Sequence, residues 1–238
     1  MATPTERDLA ATIDHAILKP ELTRADVDAE LDIAAQWRVF SVCVRPSDIA
    51  YAVQRLAGTG VAVGTVIGFP HDTTSTAAKV AETRQAIADG AAEVDMVINI
   101  GALRSGFDDQ VVADIAAVVA AADGHVTKVI LETALLDDEQ IARGSRLTEQ
   151  GGAQFVKTST GFAGGGATVA DVELMRSQVG PDVQVKASGG VRSYADALAM
   201  LQAGATRLGT SGSAVILGEA RRVDAGEGAT GAVDASSY

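Results

Sequence analysis

The residues best suited to chemistry are five charged side chains that fall within predicted β-strands. They are Asp14, Asp95, Lys128, Lys157 and Lys186, each with apolar neighbours in its own strand. Successive side chains of a strand point to opposite faces, so each charge must enter either the inside of a closed sheet or the helix layer around it. Because an isolated buried charge is costly, we expect opposite charges to meet in one place.

Two of the lysines suggest a particular reactivity. Lys157 and Lys186 fall on successive strands, which would place their ammonium groups close together. Like-charge repulsion and desolvation would lower the pKa of one of them, and a lysine that is neutral near neutral pH is an amine nucleophile. Such an amine forms a Schiff base with a carbonyl and permits cleavage of the neighbouring carbon–carbon bond. With Asp95 and the second lysine moving protons through a water, this is aldolase chemistry.

A lone lysine would more often extend to a rim and pair with a helix carboxylate, but three lysines on adjacent strands favour an interior site. The strands that carry them are short β-branched runs, which alternate with longer Ala-rich amphipathic runs, the pattern of repeated βα units. Eight strands are predicted near residues 12–18, 40–44, 61–68, 93–98, 126–132, 155–159, 183–187 and 207–209.

Helix signals fall between these strands. Thr23, Ser75 and Thr168 each place a hydroxyl before a helix, and Pro46 suits the first turn of another. Right-handed crossovers would wind eight such units into a single closed α/β barrel, a TIM (β/α)8 barrel. We therefore predict a catalytic barrel over residues 1–225, with a short N-terminal helix, and a loose, flexible C-terminal tail over residues 226–238. An open doubly wound sheet is the rival, but no glycine fingerprint follows the first strand.

Composition narrows the class of protein. The 238 residues carry 19 Lys and Arg against 31 Asp and Glu, for a net charge of −12, which argues against a nucleic-acid partner. Hydrophobic residues make up 47% and aromatic residues 4%, as expected for a helix-covered parallel sheet. Cys43 is the single cysteine, no export signal or membrane span is visible, and we expect a cytoplasmic protein without a membrane partner.

The same strands carry runs that resemble a known enzyme family. Those runs are Glu93-Val-Asp-Met-Val-Ile-Asn99, Phe155-Val-Lys-Thr-Ser-Thr-Gly-Phe162 and Val185-Lys-Ala-Ser-Gly-Gly-Val-Arg192, with further likeness at 13–15, 128–133 and 204–211. They are similar to those of the deoxyribose-phosphate aldolases over nearly the whole chain. The resemblance implies that Lys157 forms the Schiff base and that Lys186 and Asp95 relay protons.

It also implies a class I aldolase on a TIM barrel that uses neither metal nor organic cofactor. The expected substrate is 2-deoxy-D-ribose 5-phosphate, which is split into acetaldehyde and D-glyceraldehyde 3-phosphate. Two alternatives stay open: a Schiff-base aldolase or transaldolase for another phosphosugar, and a phosphosugar-binding barrel without catalysis. A homo-oligomer is possible from the sequence.

Glycine-rich loops after the seventh and eighth strands are where barrels often bind phosphate. Gly189, Gly190, Gly209 and Ser211 are the candidates, although such glycines can also serve only tight turns. Gly161, after the sixth strand, could supply a further backbone donor. Many relatives have two consecutive serines in the last loop, whereas this chain has Ser-Gly-Ser at 211–213, so contact there would rest on the backbone or on the hydroxyl of residue 213.

The remaining polar candidates are given supporting roles. Asp14 is expected to pair with Lys186 or Lys128, and Glu132 to do the same for Lys128. Tyr238 could reach the site from the tail, as the terminal tyrosine of relatives is thought to do. The three histidines are too scattered for a metal site, and Cys43 is expected to be a small core residue.

Overall fold

Eight parallel strands close into a barrel in the order in which they occur along the chain. The computed structural model describes residues 4–227. The strands are β1 (Ile13–Ile17), β2 (Ser41–Val44), β3 (Ala62–Ile67), β4 (Glu93–Val97), β5 (Val126–Ile130), β6 (Phe155–Lys157), β7 (Gln184–Ser188) and β8 (Arg207–Thr210). The predicted TIM-barrel fold is confirmed.

Several strands are shorter than predicted. β6 ends at Lys157, whereas the apolar and β-branched pattern predicted a strand to Ser159. Beyond that point the amide of Thr160 donates to the carboxylate of Glu132 at 3.3 Å and not to a neighbouring strand. The chain therefore leaves the sheet within three residues of Lys157, which leaves that side chain at the carboxyl end of its strand.

Ten helices lie in the described residues, and most of them surround the barrel. They are α1 (Glu6–Ala10), α2 (Arg24–Trp37), α3 (Ile49–Arg55), α4 (Thr76–Ala88), α5 (Ile100–Arg104), α6 (Asp108–Ala121), α7 (Asp138–Gln150), α8 (Val169–Gln178), α9 (Tyr194–Gln202) and α10 (Ser213–Asp224). Thr23, Ser75 and Thr168 accept hydrogen bonds from the amide three residues on, as the sequence predicted. Pro46 instead begins a 3-10 turn that precedes α3. No helix within residues 4–227 is both long enough and apolar enough to cross a membrane.

The predicted boundary between barrel and tail falls at the end of this helical layer. α10 ends at Asp224, and residues 228–238, including Tyr238, lie outside the described residues. The predicted role of Tyr238 therefore stays a prediction. The main apolar core lies between the strands and the helices, as in other barrels.

A small apolar cluster lies toward the carboxyl ends of the first three strands. Leu18, Cys43 and Val66 form a small cluster with Ala16, Phe69 and Phe162 packed against it. Phe69 and Phe162 meet edge to face, with their ring centroids 5.3 Å apart. The rest of the interior holds charged side chains, with the buried ring of Phe155 beside Lys128 and Arg207.

Candidate active site

Strand register brings the predicted lysines side by side. Lys157 on β6 is paired directly with Lys186 on β7, and Asp95 on β4 is paired with Lys128 on β5. In a closed barrel, paired residues point to the same side of the sheet, so all four side chains enter the interior. Each of the four is at most 3% exposed.

Asp95 joins the three lysines. Its Oδ2 atom accepts hydrogen bonds from the Nζ atoms of Lys157 and Lys186, each at 2.8 Å. Its Oδ1 atom accepts one from Nζ of Lys128, also at 2.8 Å. The predicted meeting of Lys157 and Lys186 is therefore present in the fold, with one carboxylate oxygen between the two amines.

The lysines differ in how many carboxylates they contact. Lys157 contacts Asp95 alone among the described carboxylates, whereas Lys186 also pairs with Oδ2 of Asp14 at 2.5 Å. Lys128 pairs with Asp95, with Glu93 at 2.6 Å and more distantly with Asp14 at 3.6 Å. Lys157 is thus the least compensated cation of the three.

This difference separates their pKa values. Burial lowers the pKa of Lys157, Asp95 opposes that effect, and the nearby charge of Lys186 adds to it. Burial by itself would lower the pKa of Lys186 as well, but Asp14 and Asp95 outweigh it and raise that pKa. Lys157 is therefore suited to be the neutral amine, while Lys186 stays protonated and can donate a proton.

The other carboxyl groups in the site are not equivalent. Burial would raise the pKa of Asp95, but the three lysines outweigh it and hold the pKa well below its ordinary value. Burial does raise the pKa of Glu132, against the opposing hydrogen bonds from Thr160. Asp95 is therefore the ionised group that faces the two reactive amines.

The supporting role predicted for Asp14 agrees with its contacts. Asp14 pairs with Lys186 and more distantly with Lys128, and it accepts a hydrogen bond from Ser41 Oγ at 2.6 Å. The pairing predicted for Glu132 and Lys128 is wrong. The carboxylate of Glu132 instead accepts from the amide and the hydroxyl of Thr160, because the strand-end loops bring these two residues together.

Sequence reasoning missed two members of the charged cluster, Glu93 and Arg207. Each is the first residue of its strand, a position where a charged side chain is usually exposed to solvent. Period-two alternation could have identified both, since Glu93 lies two residues before Asp95 and Arg207 two residues before Gly209. Both are buried in the structure.

A pocket opens above Lys157 at the carboxyl ends of the strands. Its walls comprise Asp14, Ala16, Leu18, Cys43, Lys157, Thr160, Gly161, Lys186, Ser188, Gly189 and Gly209. Three of the predicted phosphate-binding glycines therefore line it, whereas Gly190 and Ser211 belong to the same loops but not to this wall. Gly161, Gly189 and Gly190 all have positive φ, a conformation that allows the backbone to come close to a ligand.

Two further residues considered from the sequence, Ser213 and Cys43, have structural roles in the fold. The hydroxyl of Ser213 is buried and lies 2.8 Å from Nδ1 of His15, whose Nε2 is 2.8 Å from Glu30. That partnership commits the hydroxyl to His15 and leaves the phosphate contact considered for residue 213 to the backbone. Burial raises the pKa of Cys43 to about 11, so its thiol stays protonated, as expected of a small core residue.

The close packing of Gly209 gives a testable prediction. A Cβ atom at this position would lie 2.1 Å from Ser188 Oγ and 3.2 Å from Lys186 Cε. Gly209→Ala should therefore displace Lys186, lower kcat on the order of 10²-fold and destabilise the fold by about 1–3 kcal/mol. Steady-state kinetics and thermal melts measure both effects.

Gly218→Ala is the matched control, because it lies in α10 with no atom within 4 Å of the added methyl group. It should leave kcat unchanged and stabilise the protein by about 0.5–1 kcal/mol. Equal kcat values for the two alanine variants would show that close packing of residue 209 against Lys186 is not needed for catalysis.

A buried lysine with a lowered pKa, beside a protonated lysine and an ionised carboxylate at the carboxyl end of a β/α barrel, defines the class of Schiff-base aldolases. The family model described as DeoC/LacD family aldolase matches residues 9–219. The chain belongs to this family.

Individual relatives agree with that membership. "Deoxyribose-phosphate aldolase 2" of Staphylococcus aureus (strain MRSA252) is 56% identical over 208 residues, which cover 87% of this chain and 94% of the relative. A solved structure from Coccidioides immitis has a TM-score of 0.89 at 41% identity. The alignment covers 93% of this chain and 88% of the Coccidioides chain. A tetrameric deoxyribose phosphate aldolase from Aeropyrum pernix has a TM-score of 0.85 at 31% identity, covering 92% of this chain and 93% of its own.

Proposed function

We propose that this chain is a deoxyribose-phosphate aldolase. It reversibly cleaves 2-deoxy-D-ribose 5-phosphate to acetaldehyde and D-glyceraldehyde 3-phosphate. The observation that carries the proposal is the 2.8 Å contact of Lys157 with an oxygen of Asp95 that Lys186 shares. The identity to named deoxyribose-phosphate aldolases over most of the chain supports the choice of substrate.

The reaction begins with addition of the neutral amine of Lys157 to the aldehyde carbon of the open-chain substrate. Lys186 protonates the departing hydroxyl of the carbinolamine, water leaves, and a cationic imine forms. The hydroxyl on the third carbon then gives its proton to the now neutral amine of Lys186, the bond between the second and third carbons breaks, and its electrons pass into an enamine. D-glyceraldehyde 3-phosphate departs as the first product.

The enamine must next gain a proton on carbon. Because Asp95 is ionised, the proton comes from Lys186 and passes through a water that is oriented by the Asp95 carboxylate, whose Oδ2 lies 2.8 Å from both amines. Water then hydrolyses the resulting imine to acetaldehyde and free Lys157. Every step uses side chains of the barrel and substrate atoms, and the proposal includes neither a metal ion nor an organic cofactor.

We assign the phosphate group of the substrate to the loops that follow β6, β7 and β8. Gly161, Gly189 and Gly209 reach the pocket from these loops. Backbone amides in such loops, together with the start of a following helix, suit a phosphate dianion. Ala16, Leu18 and Cys43 give the pocket one apolar wall, which suits the methyl group of acetaldehyde better than a hydroxylated donor.

Substrate profiling tests the proposal. Purified protein should cleave 2-deoxy-D-ribose 5-phosphate to the two named products, and it should accept acetaldehyde in preference to hydroxylated donors such as dihydroxyacetone. Faster turnover with a hydroxylated donor would identify a different Schiff-base aldolase. Binding of the phosphosugar without any product would identify a non-catalytic barrel.

Ser211→Asp should test the phosphate loops in particular. A carboxylate in the loop after β8 would repel the phosphate and raise KM for 2-deoxyribose 5-phosphate by about 10-fold or more. Unphosphorylated 2-deoxyribose should show an unchanged KM, because it lacks that charge. Ser211→Asn, which has the same shape without the charge, is the control. An equal change in KM for both substrates would show that the phosphate group does not bind near residue 211.

For assembly and location we propose a homo-oligomer that acts in the cytoplasm. The tetrameric relative from Aeropyrum pernix supports self-association, and the single buried cysteine suits a reducing compartment. Sedimentation velocity of the purified chain measures the oligomeric state, and a monomer at all concentrations would contradict the first part.

A further inference from the structure

A second set of charges lies deeper in the barrel than the reactive lysines. We call Glu93 and Arg207 the lower pair. Nη1 of Arg207 lies 2.7 Å from Oδ1 of Asp14 and 3.0 Å from Oε2 of Glu93. The guanidinium also stacks over the ring of Phe40 at 3.6 Å from its centroid. Neither member of the pair lines the substrate pocket, although Asp14, which Arg207 contacts, does.

The lower pair is linked to the reactive amines through shared carboxylates. Oε2 of Glu93 also accepts from Nζ of Lys128 at 2.6 Å, and Asp14 also pairs with Lys186 at 2.5 Å. Lys128 and Lys186 in turn bind the two oxygens of Asp95. A change of charge in the lower pair is therefore transmitted to Asp95 through buried ion pairs that solvent does not screen.

The charges of this cluster do not cancel when every group is ionised. Four cations, Lys128, Lys157, Lys186 and Arg207, are paired with three carboxylates, Asp14, Glu93 and Asp95. Loss of one proton makes the cluster neutral. The amine with the fewest carboxylate contacts is the one that should lose it.

We propose that Glu93 and Arg207 are positioning residues for imine formation: they set the charge of the buried cluster so that Lys157 is the amine that becomes neutral. This inference rests on the proposed function, since it takes Lys157 as the nucleophile. It adds two residues that contact neither substrate nor Lys157 and act only through the residues between.

The titratable groups that face Lys157 come from four elements of the barrel. They are Asp95 from β4, Lys186 from β7, Cys43 from β2 and Glu132 from the loop after β5. Cys43 has a raised pKa and stays a neutral thiol. A change in the lower pair therefore alters the balance of charge around Asp95. That balance in turn affects the protonation of Lys157.

The sign of each substitution follows from electrostatics. Glu93→Gln removes a negative charge, disfavours the ammonium form of Lys157 and should shift the pH profile of imine formation to lower pH. Arg207→Gln removes a positive charge and should shift the profile to higher pH. Each shift should be about half a pH unit to one unit, the size expected for a buried unit charge acting through other residues.

The test uses the full-length chain and acetaldehyde, which has no charge of its own to interact with the cluster. The rate of borohydride-trapped imine formation is measured against pH for the wild type, E93Q, R207Q and the double variant. Opposite shifts in the single variants, and a return to within about 0.3 units in the double variant, are expected because the double variant restores the balance. R207K keeps the charge and should keep the wild-type profile.

A purely structural role for the lower pair would give a different pattern. Both single variants would then lose stability and rate without opposite shifts of the profile, and that result would overturn the proposal. If R207Q does not fold, E93Q and the double variant suffice, since adding R207Q must reverse the shift that E93Q causes. Failure to trap any imine on Lys157 of the wild type would reject the proposed function, whereas trapping with unchanged profiles rejects this inference alone.

Discussion

Lys157→Met is expected to abolish both the imine and the reaction. Methionine fills nearly the same volume in the buried position but has no amine to add to an aldehyde. The adduct formed with acetaldehyde and borohydride should disappear, and cleavage of 2-deoxyribose 5-phosphate should fall by about 10⁴-fold or more. Intact-mass spectrometry after borohydride treatment, together with the cleavage assay, measures both losses.

Peptide mapping makes the assignment specific because the chain has only five lysines: Lys19, Lys79, Lys128, Lys157 and Lys186. Lys157→Arg keeps a cation beside Asp95 and should be as inactive as the methionine variant, which separates loss of the nucleophile from loss of a charge. Lys186→Met should still be labelled at position 157. An adduct on Lys186 in the wild type would reverse the two roles.

The fold could be predicted from local pattern because each βα unit repeats the same signals. Short apolar strands, hydroxyl caps such as those at Thr23 and Ser75, and Ala-rich helices recur along the chain. A parallel strand buried on both faces tolerates a charge only where a partner exists, so the charges at Asp95 and Lys157 already indicated a shared interior. The sequence placed Lys157 and Lys186 on neighbouring strands, and the register of β6 and β7 in the structure pairs them directly.

The details that sequence could not supply all depend on distances between strand ends. Glu132 lies two residues after the end of β5, and pattern alone gave it Lys128 as a neighbour, yet the loop after β6 brings Thr160 to it instead. From the sequence, Arg207 is indistinguishable from an exposed charge at a strand end. In the closed barrel it contacts Glu93 of β4, which is 114 residues away in the chain. Contacts across a barrel depend on closure and tilt, which local patterns do not contain.

Only the structure shows which cause contributes most to the lowered pKa of Lys157. The sequence predicted that like-charge repulsion and desolvation together would lower the pKa of one of the two lysines, and the family resemblance assigned that role to Lys157. In the folded protein burial is the largest cause, and Lys186 itself is held protonated by Asp14 and Asp95. The adjacent lysine is therefore protonated at rest and can donate that proton, and its repulsion of Lys157 is a smaller contribution than burial.

Asp95→Asn is expected to separate imine formation from proton transfer at carbon. Because the Asp95 carboxylate favours the charged form of Lys157, its removal should lower the pKa of Lys157 further and leave the amine available. The imine should still be trapped at position 157. Exchange of the acetaldehyde methyl protons with deuterium from the solvent, which requires the enamine, should fall by about 10²–10⁴-fold. NMR in heavy water follows that exchange.

Stability must be measured alongside, because three buried lysines share the carboxylate that this substitution removes. A loss of about 3–5 kcal/mol is expected from leaving buried cations without their partner. Asp14→Asn is the matched control: Asp14 pairs with Lys186 and Arg207 but not with Lys157, so it should weaken the fold to a similar extent while slowing methyl exchange less. Unchanged methyl exchange in Asp95→Asn would show that Asp95 is not part of the proton relay. Loss of both imine trapping and methyl exchange would show that Asp95 has a structural role in the site.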